Sequence, residues 1–228
     1  MVLSLVLAES SIELVPKELA HHPSVVKIAQ RKKKDPANLI LDQSYHHAAI
    51  LRLGHHGAGR GRPDIAHFCL LLALGSPLNS SDKLKCYVHT RDNHVITVDP
   101  KARLPRNTDR FTSLIEQLYQ ERTVPPGGHP LLSIRQGSLA DLFKEISRPV
   151  TALTTQGFPK GMEEVATSMA AKSDPILMVG GFPSGHFSKE ASSLVENSHR
   201  IQKESLEAWT VVGRAIYDYE KAIGLERN

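Results

Sequence analysis

Apolar runs and amphipathic stretches alternate along the chain. LSLVLAESSIELVP, from Leu3 to Pro16, is nearly continuous in apolar character and reads as a strand stopped by proline. KELAHHPSVVKIAQRKKK spaces its apolar positions for a helix interrupted at Pro23, and NLILDQ is a short apolar run with the pattern of a buried parallel strand. YHHAAILRLGHH reads as a helix stopped by glycine. RPDIAHFCLLLALGSPLN has a proline start and a Gly/Pro exit around a strongly apolar helix, expected to be buried. KLKCYVHTRDNHVITVDP is two β runs around Arg91-Asp92-Asn93, a hairpin signal. In TDRFTSLIEQLYQ, Phe111, Leu114, Ile115 and Leu118 fall on one helical face.

Beyond the loop VPPGGHP the alternation continues. SLADLFKEI is a helix, PVTALTTQG a strand and loop, GMEEVATSMAA a helix and DPILMVGG a strand; SLEAWTVVGRAIYDYEKAIG closes the series as a long helix. Such alternation predicts an α/β fold, a mainly parallel sheet with helices on both faces, in one domain spanning residues 1–228. No repeat or low-complexity tract interrupts it.

Composition changes this picture little. At 40% hydrophobic and 23% charged residues the chain is an ordinary globular one. The opening MVLSLVLAESS lacks a basic flank and meets Glu9 too early for a secretory signal. No segment approaches the roughly 20 apolar residues of a membrane span, so no membrane association and a cytoplasmic location are expected. A net charge of +4 and a pI of about 9.1 permit a polyanionic partner without requiring one. Cys69 and Cys86 sit among apolar neighbours, as buried reduced thiols do.

Charge placement is more informative. In ARLPRNTDRF, Arg103, Arg106 and Arg110 are spaced by three and four around Asn107 and Thr108, both good helix N-caps. Free backbone N–H groups at a helix start favour anions, and the planar guanidinium holds two phosphate oxygens at once. The competing reading is a solvated turn pairing with Asp109. In HHGAGRGRPDI, glycines let the backbone approach a ligand before Arg60, Arg62 and Asp64. Asp64 either orients Arg62 toward a base or phosphate, or simply caps the helix beginning near Pro63. The run Arg31-Lys32-Lys33-Lys34 is weaker, since cations at a helix end are favoured by the macrodipole alone.

Twelve histidines raise the question of a metal, but no HExxH occurs and the cysteine spacing matches no zinc pattern; none is expected. There is no GxSxG and no activated cysteine, which disfavours hydrolase chemistry. DPILMVGGFPSGHF runs from a strand into a loop holding Gly180, Gly181 and Gly185. It fits neither GxGxxG nor a P-loop, yet it offers unobstructed backbone to a small ligand.

In combination, RPDIAHFCLLLALGSPLN, VDPKARLPRNTDRF, LMVGGFPSGHF and SLEAWTVVGRAIYDYE resemble the ribosome-biogenesis pseudouridine N(1)-specific methyltransferase family of the SPOUT, or α/β-knot, superfamily, from about Leu3 to Gly224. The resemblance implies a homodimer with a deep trefoil knot over about residues 150–224, binding S-adenosylmethionine. It implies that Leu153, Gly180 and Gly185 line the cofactor pocket and that Ile201, Gln202, Lys203, Glu204, Ser205 and Leu206 close over the adenosine. RIQKES is more polar than the family pattern, where an aromatic and a proline are common. Arg60, Arg62, Arg103, Arg106 and Arg110 become the surface for a hairpin loop of small-subunit ribosomal RNA, and Arg62 and Asp64 the catalytic pair.

On that reading the activated methyl needs alignment with ring nitrogen 1 of pseudouridine, which must lose a proton. A nearby carboxylate or a bound water could take it, Asp64 being the candidate carboxylate, with Arg62 stabilising charge on the neighbouring carbonyls. Two other readings share the arginine surface: a mainly non-catalytic assembly factor for the small ribosomal subunit, and a knotted methyltransferase acting on another RNA such as transfer RNA. A eukaryotic relative would be nucleolar.

Overall fold

The computed structural model describes residues 1–146 and 149–225. Residues 147–148 and 226–228, included in the expected domain, lie outside the described residues. Strand β1 (Leu3–Ser10) sends Leu3, Leu5 and Leu7 to one face of the sheet and Val6 and Ala8 to the other, all fully buried. A strand apolar on both faces belongs at a sheet centre. It lies there, parallel to both β2 (Leu84–Thr90) and β7 (Ile176–Gly180).

The remaining strands are β3 (His94–Val98), β4 (Thr123–Val124), β5 (Leu132–Gln136), β6 (Val150–Pro159) and β8 (Asn197–Arg200). The order is β4-β5-β3-β2-β1-β7-β6-β8. The half holding β1, β2, β6, β7 and β8 is parallel, whereas β2-β3, β3-β5 and β5-β4 are antiparallel. The sheet is therefore mixed, though mostly parallel. The Arg91-Asp92-Asn93 turn is too short for anything but a reversal of direction.

The helices are α1 (Pro23–Lys32), α2 (Gln43–Ile50), α3 (Pro63–Leu74), α4 (Pro77–Ser80), α5 (Thr108–Glu121), α6 (Leu139–Ile146), α7 (Met162–Ala170), α8 (Lys189–Ser193) and α9 (Ala208–Ala222). Helices α3, α5, α7 and α9 pack on the Leu3-Leu5-Leu7 face, and α6 and α8 on the other. Helices on both faces follow. Among the described residues no helix is long and apolar enough to cross a membrane.

Several local expectations change. NLILDQ forms no strand: Leu39 and Leu41 are buried in a side core with α1 and α2, and only an isolated bridge links Ile40 to Leu14. Apolarity there serves a satellite core. The first strand ends at Ser10 instead of reaching Pro16, and Pro23 starts α1 instead of interrupting a helix, since its missing N–H costs nothing there. YHHAAILRLGHH divides into α2 and a 3-10 segment Leu51–Gly57. Helix α3 is not buried all round, because Phe68 is 39% exposed and Leu72 47% exposed.

A buried carboxylate fastens the satellite core to the rest. Glu116 of α5 is 1% exposed and accepts from Lys32 Nζ (3.0 Å), Lys34 Nζ (2.7 Å) and the backbone N–H of Ile40 (3.2 Å). A charge so far from water requires this number of partners. Part of the Arg31–Lys34 basic run is thus structural.

Candidate active site

The parallel half of the sheet ends in a cleft. Ligands in open α/β sheets collect at the carboxyl ends of parallel strands. Here β6 and β7 deliver Leu153, Val179 and Gly180 to a cleft of about 780 Å³, counting space open to solvent. The loop after β7 forms one wall with Phe182, Pro183, Ser184, Gly185 and His186, and residues 200–208 form the other. Ile65 of α3 and Val211 of α9 close the floor.

Of the nine cofactor positions expected from resemblance, Leu153, Gly180, Gly185, Ile201, Gln202, Glu204, Ser205 and Leu206 line this one cleft. Lys203 does not. Gly185 has φ of +99° and an added Cβ would meet nothing within 4 Å, so the loop bends there beside open space. The ring of Phe182 stands over Gly180 and meets Phe187 edge-on at 5.7 Å. Phe182, Phe187, Thr154, Thr155 and Glu207 line the cleft without having been expected. For the phenylalanines the signal was available, since both flank Gly185 in the motif.

Backbone bonds hold the cleft's edge. Gly181 N–H donates to the carbonyl of Ala8 (2.9 Å), and Ser11 N–H donates to the carbonyl of Gly181 (2.9 Å), tying β7 to β1 where the loop departs. Glu9 Oε2 accepts from the N–H of Ser188 (3.0 Å), anchoring the loop's far end at the cap of α8.

Arg62 precedes α3, three residues from Ile65. Its Nε and Nη2 donate to the two oxygens of Asp64, each at 2.8 Å, and both side chains are partly exposed. The Asp64 hydrogen bonds hold the Arg62 pKa above its ordinary value, with further support from the charges of Glu207 and Asp42. Asp64, the candidate proton acceptor, thus has each oxygen engaged by Arg62. Arg60, expected on the RNA surface, is paired instead. Its fork closes on Glu13, Nε donating at 2.8 Å and Nη2 reaching the other oxygen, with Arg60 13% and Glu13 7% exposed at the side chain. That pair is a tether for the Gly57–Arg62 loop.

Arg103, Arg106 and Arg110 surround the start of α5 and are exposed. Asn107 is the cap, its side chain accepting from the N–H of Arg110 at 3.1 Å. No salt bridge engages these three guanidiniums among the described residues, and Asp109 instead accepts from Tyr45 Oη at 2.7 Å, the ring of Tyr45 lying under Arg31 at 5.0 Å. His67 of α3 holds this loop in place. Its Nε2 donates to the carbonyl of Pro105 at 2.6 Å, while its ring stacks on Phe111 at 4.4 Å. Burial pushes the His67 pKa below the usual histidine range, consistent with a neutral ring that donates through one nitrogen.

Burial pushes both thiols, Cys69 and Cys86, up to about 12, which keeps them protonated and unreactive. Among the described residues no group of three or more His, Cys, Asp or Glu side chains gathers as a metal would need.

A family model described as EMG1/NEP1 methyltransferase matches residues 5–220. The chain is 42% identical to the ribosomal RNA small subunit methyltransferase Nep1 of Pyrococcus furiosus over 222 residues, 96% of each chain. It is likewise 42% identical to the Nep1 of Thermococcus kodakarensis, over 98% of this chain and all of that one. The crystal structure of Archaeoglobus fulgidus Nep1 bound to S-adenosylhomocysteine matches with a TM-score of 0.87 at 33% identity, covering 98% of this chain and 100% of that chain.

Proposed function

The chain belongs to the EMG1/NEP1 methyltransferase family, and on that premise we propose that it transfers a methyl group from S-adenosylmethionine to small-subunit ribosomal RNA. The observation that carries this reading is the cleft at the ends of β6 and β7, in a fold shared over 98% of its length with a Nep1 bound to S-adenosylhomocysteine.

The residues present fit the cofactor. Leu153, Ile201 and Leu206 give apolar walls suited to an adenine, the backbone at Gly180 and Gly185 stands open, and Thr154, Thr155 and Ser205 offer hydroxyls. When bound, the cofactor supplies a methyl group already activated by its sulfonium. The chain's task is then alignment, which in favourable cases supplies about 7–11 kcal/mol of a barrier.

The acceptor we propose is ring nitrogen 1 of a pseudouridine in a hairpin loop. A base inside a stem cannot enter a cleft of this kind, so the target is splayed out. Arg103, Arg106 and Arg110 hold phosphates at the start of α5, where backbone N–H groups add to the attraction. Arg62 stabilises charge on the carbonyls beside the nitrogen as its proton leaves to water, and Asp64 is a positioning residue that holds the Arg62 fork.

Two finer features complete the reading. Residues 150–224 form a deep trefoil knot, a reading supported by the family membership and compatible with the register shift at β8, where both Leu153 and Phe158 of β6 pair with His199. A second copy of the chain covers the α3/α9 face, where Phe68, Leu72 and the 53% exposed Tyr217 are apolar and unburied, with Trp209 edge-on to Phe68 at 5.4 Å.

The test is mass spectrometry of a ribosomal hairpin containing pseudouridine, incubated with protein and S-adenosylmethionine beside a uridine control. We expect 1-methylpseudouridine in the first tube alone. Methylation of both hairpins would defeat the pseudouridine assignment. RNA and cofactor binding without product would favour a non-catalytic assembly factor.

A further inference from the structure

The cleft's loop wall sorts its charges. Glu204 and Glu207 line the cleft, whereas Lys203, the loop's cation, does not. Neither carboxylate makes a hydrogen bond or salt bridge among the described residues, although the Glu207 carbonyl caps α9 by accepting from the N–H groups of Thr210 and Val211. The cleft-lining guanidinium is Arg200. Arg62, close enough to Glu207 to feel its charge, already has its fork closed on Asp64 and is influenced by Asp42 as well. Negative charge is therefore in excess around the cleft.

We propose that Glu204 and Glu207 make the cleft prefer the methyl donor over the demethylated product, and so favour product release. The proposal rests on the cofactor reading above. Donor and product share the adenosine, the ammonium and the carboxylate. They differ by the methyl group and the positive charge on sulfur that leaves with it. Apolar walls and hydroxyls contact the two alike, so discrimination falls to charge, and because Glu204 and Glu207 are exposed and screened by water, each carboxylate changes the ratio of affinities by about 2- to 3-fold. Glutamine keeps the shape of each side chain and removes the charge, which isolates the effect.

The experiment is calorimetric titration of S-adenosylmethionine and of S-adenosylhomocysteine, separately, into the full chain and its Glu204→Gln/Glu207→Gln variant, each at low and high salt. We expect the variant to lose about 5-fold in affinity for the donor while its affinity for the product holds, which also shows that the variant is folded. In the unaltered protein, salt should weaken donor binding more than product binding. An unchanged ratio in the variant, or an equal effect of salt on both ligands in the unaltered protein, overturns the proposal. If neither ligand binds the unaltered protein, the cofactor reading itself fails and takes the proposal with it.

Discussion

His46 is held neutral at pH values where an exposed histidine would be charged. It is 1% exposed, its Nδ1 accepts from the N–H of Asp42 at 3.0 Å, and burial, aided by the charge of Lys32, pushes its pKa down to about 4. Between that value and the ordinary 6.5 the unfolded chain takes up a proton that the folded one refuses. This contribution is fully present above about pH 6.5 and is lost as pH falls toward 4, up to about 3 kcal/mol in all. Urea unfolding at pH 7, 5.5 and 4.5 should therefore show a steeper loss of stability in the unaltered protein than in His46→Asn; parallel losses would exclude His46 as the source. The arginines show what a sequence discloses at this scale. Arg103, Arg106 and Arg110 were legible because the Asn107-Thr108 cap is local. Arg60 and Arg62 were not separable, since they differ in which acid each meets, and Glu13 lies 47 residues upstream of Arg60.

Among elements, long amphipathic helices and the central strand were legible from periodicity, because each is apolar in a way only one geometry satisfies. Strand β8 was not. Its sequence Asn-Ser-His-Arg has no strand pattern, and its place is decided by β6, which pairs with it on either side of a register shift. The short β5 was hidden behind the proline- and glycine-rich loop that precedes it. At the β6/β8 contact a Cβ on Gly157 would lie 2.5–2.7 Å from the backbone of His199, which cannot yield as a flexible side chain would. Gly157→Ala is expected to cost about 2 kcal/mol or more, as overpacking does. A denaturation midpoint unchanged from the unaltered protein would show that β6 relaxes there without penalty.

For the whole molecule, the α3/α9 face leads to a test of assembly. FCLLLALG looked like a buried helix because apolar residues surround it, and within one chain it is not; the proposed second copy would reconcile sequence with exposure. Leu72→Glu places a charge in that face and should turn a dimer into a monomer by light scattering after gel filtration, with the fold retained. A dimer unaffected by this change would put the interface elsewhere. Helix α3 has one more consequence. Ile65 forms part of the cleft floor, and His67, two residues on, latches the arginine loop at Pro105. The cleft floor and the arginine loop are thereby set from the same helix. If both ligands bind as proposed, choosing a nucleotide becomes a measurement of length: the phosphate grip fixes the strand, and only the base at one set distance along it arrives at the methyl group.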